Sequence, residues 1–258
     1  METQDYEYRG MIAKSWDRMR ESMSFPDRDF FQDVVHESGE PVLIIGCGTG
    51  RLTLDFTSNG LVVDGIDISP EMVEIAEKKA GTQNLTPNFY VQPMEMLDLP
   101  QKYRSIIVPS SSFQLVADLD DARAALAGFH GHLESGGTLV MSIWHIMKES
   151  DGAWGDWWMV VELPNYEDGK MLRRWERSAY DSSTHLRHTE NRYEIIKNDV
   201  IVYEEVHKRS PELRNYSIHD LSDMLESTGF ENVHAVSEFT TDPATDSDGS
   251  FCIFGTKS

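Results

Sequence analysis

Cysteine is scarce in this chain. Cys47 and Cys252 are the only two in 258 residues, too few and too far apart for a disulfide framework or a cysteine-based zinc site. Basic charge is scarce as well. Lys and Arg total 23 against 44 Asp and Glu, a formal charge of -21, and no run of Lys or Arg exceeds two residues. Proteins that hold nucleic acid by its phosphates do so with basic patches that displace counterions, so DNA and RNA are not expected partners. The same argument disfavours an anionic membrane surface. Long apolar runs are missing too: 42–45 and 106–108 are strand-length and far short of a membrane span. The opening METQDYEYRG has neither the basic start nor the apolar core of a signal peptide, which implies a soluble, cytoplasmic protein. There is no Walker lysine, no HExxH and no recognisable nucleophile triad, and no metal ligand set is expected. What remains is an ordinary folding composition, 40% hydrophobic and 26% charged, at a length that suits one large domain or one domain with an insertion.

The first 145 residues alternate strands and helices. The run 41–46 is short and wholly apolar, as expected of a strand covered on both faces. A glycine turn and a helix follow, ending near Asn59-Gly60. Residues 61–67 form the next strand, and Ser69 then caps a helix with Pro70 at its first position. Residues 89–91 and 105–108 are two further strands. Leu119, Ala122, Leu126, Phe129 and Leu133 recur at helical spacing, with Gly136-Gly137 as the expected stop, and 138–144 is a fifth strand. From about Trp157 to Lys208 the pattern changes to strands and turns, at 170–179, 186–196 and 200–208, with Lys197-Asn-Asp199 as a hairpin turn. Helical spacing returns after Ser217, whose partner Asp220 suggests a capping box, and two last strands fall near 233–238 and 251–255. The fold expected is α/β: a doubly wound, mostly parallel seven-stranded sheet with helices on both faces, plus an antiparallel β insertion. The expected divisions are an N-terminal helical cap at 1–38, a ligand-binding core at 39–152, the insertion at 153–212, and a C-terminal helix and strands at 213–258.

Gly46-Cys47-Gly48-Thr49-Gly50 lies between a buried strand and a helix start. Glycines there let the backbone turn tightly and approach a ligand, and the helix N-terminus offers free N–H groups to a negative group. The spacing is G-x-G-x-G. A dinucleotide fingerprint needs a third glycine where this chain has Arg51, which weighs against a nicotinamide-dependent oxidoreductase. Asp67 ends the second strand, 21 residues after Gly46, where an acceptor suits the two hydroxyls of a ribose.

These segments, Val42-Leu-Ile-Ile-Gly-Cys-Gly-Thr-Gly50, Val63-Asp-Gly-Ile-Asp-Ile-Ser-Pro-Glu-Met72 and Leu133-Glu-Ser-Gly-Gly-Thr-Leu-Val-Met141, together resemble the Rossmann-like S-adenosylmethionine-dependent methyltransferases over most of residues 30–145. The resemblance implies that Gly46, Cys47, Gly48, Thr49 and Gly50 cradle the amino-acid part of S-adenosylmethionine. It implies that Asp67 holds the ribose, and that Ile68, Met72, Met94 and Glu95 lie about the adenine. Ser110 falls in the segment beside the sulfonium. The insertion after the fifth strand is similar in architecture to that of the aminosugar N-methyltransferases, in which an N-terminal aromatic-Asp pair closes over the site; Tyr8 and Trp16-Asp17 fit that role.

Methyl transfer from a sulfonium needs alignment, desolvation and, for a hydroxyl or protonated amine, a base. His145 is the candidate base, because it directly follows the fifth strand at the sheet edge where open α/β folds bind ligands. Phe113 and Trp144 are candidate acceptor contacts beside Tyr8 and Trp16. The tryptophans at 144, 154, 157 and 158 are read either as packing or as an aromatic wall for an organic acceptor. The expected function is methylation of a nitrogen or oxygen of a small molecule. A non-catalytic cofactor-binding or partner protein on the same fold stands as the alternative. The insertion either caps its own site or pairs across a homodimer, and the sequence leaves both open.

Overall fold

Val42-Leu-Ile-Ile45 contains no polar side chain, and a strand of that kind needs cover on both faces. In the computed structural model, which describes residues 8–21, 26–145 and 152–258, it forms β1 (Val42–Ile45), buried along its whole length. On one side of β1 lie β2 (Val63–Asp67) and β3 (Asn88–Val91). On the other lie β4 (Tyr103–Val108) and β5 (Leu133–Trp144), all parallel. The last two strands of the chain, β10 (Glu231–Ser237) and β11 (Ser250–Thr256), complete a seven-stranded sheet in the order β10-β11-β5-β4-β1-β2-β3, with β11 antiparallel to both its neighbours.

Alternation along β1 divides the core into two layers. Leu43 and Ile45 point to a cluster with Phe129, Leu126, Leu221 and Leu225, contributed by α5 (Leu119–His132) and α6 (Ile218–Thr228). Val42 and Ile44 point to the opposite cluster with Phe31, Val34, Val35 and Phe56, contributed by α2 (Asp27–Ser38) and α3 (Arg51–Ser58). Helix α4 (Pro70–Gln83) starts on the Ser69 cap, whose hydroxyl accepts from Met72 N–H at 3.2 Å. Helix α6 carries the capping box of Ser217 and Asp220.

The strand order reverses between β1 and β4. That reversal opens a crevice at their carboxyl ends, the place where open α/β sheets take ligands. The glycine turn after β1 and the segment after β4 both end there.

The junction of α5 with β5 departs from the expectation. Helix α5 stops at His132, and Leu133 opens a 12-residue strand. Leu133 is buried because it pairs with Tyr103 across the sheet, and Gly136-Gly137 sits inside β5 at an irregularity in its register with β4, where Gly136 takes φ 75°. At the other end of the helix Leu119 is 37% exposed, because it lies just inside the cap formed by Asp118 and points away from the core.

The insertion is a separate antiparallel sheet in the order β6-β7-β8-β9, made of β6 (Trp158–Leu163), β7 (Met171–Asp181), β8 (Leu186–Lys197) and β9 (Val200–Arg214). Strand β6 is absent from the sequence expectation. Asn198 and Asp199 take φ of 51° and 62°, the paired left-handed conformation that a two-residue hairpin between right-twisted strands requires. The chain divides into two compact units, one of Phe25–Met147 with Asn215–Ser258 and the other of Met1–Ser24 with Lys148–Arg214. The segment expected as one N-terminal cap therefore splits. Helix α1 (Met11–Glu21) belongs to the unit of the insertion, where Glu205 of β9 accepts the Met11 N–H at 3.0 Å. Helix α2 belongs to the seven-stranded unit because Phe31, Val34 and Val35 are part of its core. Among the described residues no helix is long and apolar enough to cross a membrane.

Candidate functional site

Three left-handed glycines shape the turn after β1: Gly46 at φ 64°, Gly48 at 55° and Gly50 at 83°. L-residues with a Cβ pay to adopt that region. The side chains of Cys47 and Thr49 are buried beneath the turn while Gly46 and Gly48 are partly open, so the accessible face of the loop is backbone. Burial also drives the Cys47 thiol well above its usual range and keeps it uncharged. The turn is fixed from behind by Cys47 N–H donating to Ile66 C=O at 2.8 Å.

Asp67, at the end of β2, closes the arrangement. Its carboxylate accepts from Gly48 N–H at 2.8 Å and from Ser69 N–H at 2.9 Å. It is 8% exposed. Burial raises its pKa, and the two N–H donors offset only part of that rise. A carboxylate has about four acceptor sites, so two donors leave capacity for hydroxyl groups. Ile68 is half-buried beside it. Met72 is 1% exposed; its side chain packs into the core and offers no open surface to a ligand, which corrects the expectation that it lies beside an adenine. Met94 and Glu95 stand on a short turn after β3 (Met94–Met96), Met94 packed against the core and Glu95 half-buried with its carboxyl pKa raised by burial.

The segment after β4 meets the glycine turn edge-on. A Cβ on Gly46 would lie 2.7 Å from Ser112 Oγ, closer than real Cβ contacts allow. Ser110 is exposed, and Ser110 and Ser111 both take left-handed φ, 56° and 59°, conformations that persist only where the surroundings impose them. Ser112 donates to Pro109 C=O at 2.7 Å. Gln114, absent from the sequence candidates, is fully buried. Its side-chain amide donates to Trp144 C=O at 2.9 Å and accepts from Trp144 N–H at 2.8 Å. The only signal for it in the sequence is a polar residue between Phe113 and Leu115. Gln114→Glu replaces the donating amide with oxygen and leaves Trp144 C=O without its partner. A loss of about 1–3 kcal/mol is expected from such a buried change, read as a lower melting temperature of the full chain, with Gln114→Ala comparable.

Phe113 is a core residue. It is 0% exposed and packs on Phe129 and Tyr216 at ring separations of 6.4 and 5.6 Å; with no open face it cannot contact an acceptor, contrary to expectation. Trp144 is 39% exposed at the end of β5. His145 follows it, half-buried, with its backbone N–H on Gly249 C=O at 2.9 Å and its Nδ1 3.3 Å from Asp248 C=O. A carbonyl oxygen can only accept, so Nδ1 is the donor in that contact, the arrangement that in a neutral imidazole leaves Nε2 as the acceptor nitrogen.

Beside the turn, Arg51 is paired to Asp27 through two hydrogen bonds of 2.9 and 2.5 Å, and Arg28 is paired to Asp55 at 2.9 Å. These two pairs tie α2 to α3 and hold the first residue of α3 next to Gly50. Tyr8 and Trp16 belong to the other unit, where their rings meet edge to face at 5.2 Å and Arg20 lies over Trp16. The expectation of an aromatic wall at 154 and 157 meets a different finding. Arg177 lies over Trp154 and Trp157, and Arg192 over Trp157 and Trp175, at 4.9 to 5.5 Å. The cations facing these rings are the protein's own. Among the described residues no group of three or more His, Cys, Asp or Glu is placed to hold a metal ion.

Residues 42–137 match the family model described as "Methyltransferase domain". The chain is 26% identical over 113 residues to the ubiquinone biosynthesis O-methyltransferase of Coxiella burnetii (strain Dugway 5J108-111), covering 44% of this chain and 47% of that protein. It is 25% identical over 142 residues to the dTDP-3-amino-3,4,6-trideoxy-alpha-D-glucopyranose N,N-dimethyltransferase of Streptomyces venezuelae, covering 55% and 56%. The chain thus spans about half the length of the curated relatives it matches. Over nearly its full length it is similar in fold to the crystal structure of an S-adenosylmethionine-dependent methyltransferase from Clostridium acetobutylicum ATCC 824, with TM-score 0.76, 19% identity, and 95% of this chain and 97% of that one covered. Residues 42–137 thus carry the match to a methyltransferase domain, and the unit that contains them has the Rossmann-like fold seen in S-adenosylmethionine-dependent methyltransferases.

Proposed function

We propose that this protein transfers a methyl group from S-adenosylmethionine to a nitrogen or oxygen of a small organic molecule. The observation that carries the reading is the junction of Gly48 N–H with the Asp67 carboxylate at the sheet's switch point, inside the matched domain. The residues fit the cofactor. The open backbone of 46–50 and the N-terminus of α3 suit its carboxylate, as a glycine turn feeding a helix suits any anion. Asp67 has acceptor capacity for the ribose hydroxyls, with Ile68, Met94 and Glu95 toward the base and Ser110 toward the sulfonium.

The bound cofactor supplies a methyl group on sulfur that is already activated for in-line displacement. The chain's own part is alignment, exclusion of water and custody of a proton. His145 is the proposed base, accepting the acceptor's proton at Nε2 while Asp248 C=O holds Nδ1–H. Trp144, with its exposed indole, is a proposed acceptor contact, as are Tyr8 and Trp16. The acidic chain favours a neutral or amine-bearing acceptor over a polyanion.

Calorimetry with S-adenosylhomocysteine on ligand-free protein tests the cofactor assignment, and absence of binding would sink it. Transfer of labelled methyl to a panel of amines, amino sugars and phenols tests the acceptor class. His145→Gln is expected to lower kcat by roughly a hundredfold or more, the usual contribution of a general base, with S-adenosylhomocysteine affinity unchanged. An unaltered kcat with a raised KM makes His145 an acceptor contact instead.

A further inference from the structure

Helix α1 begins without a cap of its own. The residue before it is Gly10, which has no side chain, and its first turn holds no acid. The N–H groups of a first turn have no partner inside the helix. Ile12 N–H finds Arg9 C=O at 3.2 Å. Met11 N–H finds the Glu205 carboxylate of β9 at 3.0 Å, 194 residues along the chain. We propose, on the reading of Tyr8 and Trp16 as acceptor contacts, that Glu205 is a positioning residue: it caps α1 from the insertion sheet and thereby sets the placement of those two aromatic rings. Helix and sheet belong to the same unit.

The carboxylate is aimed before the helix meets it. Tyr203, Glu205 and His207 alternate onto one face of β9. Both neighbours donate to Glu205, the Tyr203 hydroxyl to Oε2 at 2.6 Å and His207 Nε2 to Oε1 at 2.5 Å. His207 is buried in turn, and its ring meets Tyr193 of β8 edge to face at 5.6 Å. Partial burial works to raise the Glu205 pKa, but the donors from Tyr203, Met11 and His207 bring it below the ordinary carboxylate value. Glu205 is therefore charged at neutral pH and faces the positive end of the α1 dipole. Gly10 completes the fit. It is left-handed at φ 56°, and a Cβ there would lie 2.5 Å from Glu205 Oε1.

What Glu205 holds is the joint between the two aromatics. Tyr8 precedes Gly10, Trp16 stands in the second turn of α1, and their rings meet at 5.2 Å. Without the carboxylate, Met11 N–H loses its partner. A helix of 11 residues with no local cap then loosens at the end that carries Tyr8. Ordering that arm again falls to the acceptor, at a cost in affinity.

Hydrogen exchange of the full chain, read by mass spectrometry over α1, tests the anchor. Glu205→Ala is expected to speed exchange there by about tenfold or more, the worth of a hydrogen bond to a charged group, with β1 to β5 unaltered. Glu205→Gln keeps an acceptor oxygen and is expected to restore part of the protection. Gly10→Ala leaves Tyr203, Glu205 and His207 in place but drives the carboxylate off Met11, so it is expected to loosen α1 as Glu205→Ala does; it decides should the latter fail to fold. Methyl transfer to whichever amine, amino sugar or phenol the parent chain turns over best tests the positioning. Glu205→Ala is expected to raise the acceptor KM by about fivefold or more while kcat and S-adenosylhomocysteine affinity stay within about twofold, with Glu205→Gln between. Unaltered α1 exchange in both Glu205→Ala and Gly10→Ala overturns the anchor. Faster exchange with an unaltered KM overturns the positioning role. A parent chain that binds no S-adenosylhomocysteine sinks the methyltransferase reading and the positioning role with it, whereas the anchor is judged by exchange alone.

Discussion

Asp67→Ala is expected to weaken S-adenosylhomocysteine binding by at least about a hundredfold, because hydrogen bonds to a charged group contribute roughly 1.5–3 kcal/mol each and a ribose offers two. The loss has a second source. Asp67 also holds the N–H groups of Gly48 and Ser69, so truncation frees the glycine turn as well as the ligand. Asp67→Asn separates the two: the amide oxygen still accepts one hydrogen bond, and affinity is expected to fall between that of the parent and the alanine variant. The pH dependence carries its own sign. Burial raises the pKa of Asp67 in the free protein, and hydroxyl donors favour the charged carboxylate, so ligand binding pulls that pKa down. Affinity should therefore rise with pH through the free protein's raised pKa, and binding at a pH between the two values should release protons. Titration in buffers of different ionisation enthalpy measures that release, and Asp67→Ala should abolish it. Proton-neutral binding across this range, or unchanged affinity in the alanine variant, would remove Asp67 from the proposed cofactor site.

Gly46→Ala is expected to damage stability and cofactor binding together. A left-handed φ of 64° costs an L-residue roughly 1–2 kcal/mol. The new methyl would also stand 2.7 Å from Ser112 Oγ, an overpacking that costs about 1–3 kcal/mol. At roughly 2–4 °C per kcal/mol for a chain of this size, the melting temperature should fall by on the order of 5–15 °C. The double variant Gly46→Ala, Ser112→Gly is expected to recover the steric share and leave the backbone share, so a thermal-unfolding cycle distinguishes the two. If Ser112→Gly recovers nothing, the close approach of the two loops is not what requires glycine at 46.

Much of the fold was legible because its signals are local. The apolar run of β1, the Ser69-Pro70 start and the Ser217 capping box each announce an element within a few residues. The glycine turn and Asp67 were legible as a pair because their separation in sequence follows from the length of one helix and one strand. Elsewhere local rules misled. Leu133 continues the helical spacing of Leu126 and Phe129, yet pairing with Tyr103 draws it into β5. Phe113 lies in a segment that reaches the site, but only its packing on Phe129 and Tyr216 shows that it points inward. Gln114 and the Arg51–Asp27 pair depend on partners 30 and 24 residues apart in the chain, respectively, and no periodicity encodes such distances. The tryptophans at 154 and 157 gave the right residue type for cation contacts, but the cations came from β7 and β8, strands whose alignment with them is set by the sheet.

The amide of Gln114 meets the backbone of Trp144 as a neighbouring strand would, with one donor and one acceptor. The chain beyond β4 has left its ladder; the Gln114 side chain supplies a substitute rung, beside the Ser111 N–H that donates to Ser142 Oγ of β5 at 3.3 Å. Ser110 and Trp144 are thereby anchored to a common frame, and under the proposed function the spacing of their two segments should not change with the acceptor. Adaptation to a new acceptor is then a matter of exchanging the side chains that point into a rigid opening, with little to be gained by lengthening the segments that frame it.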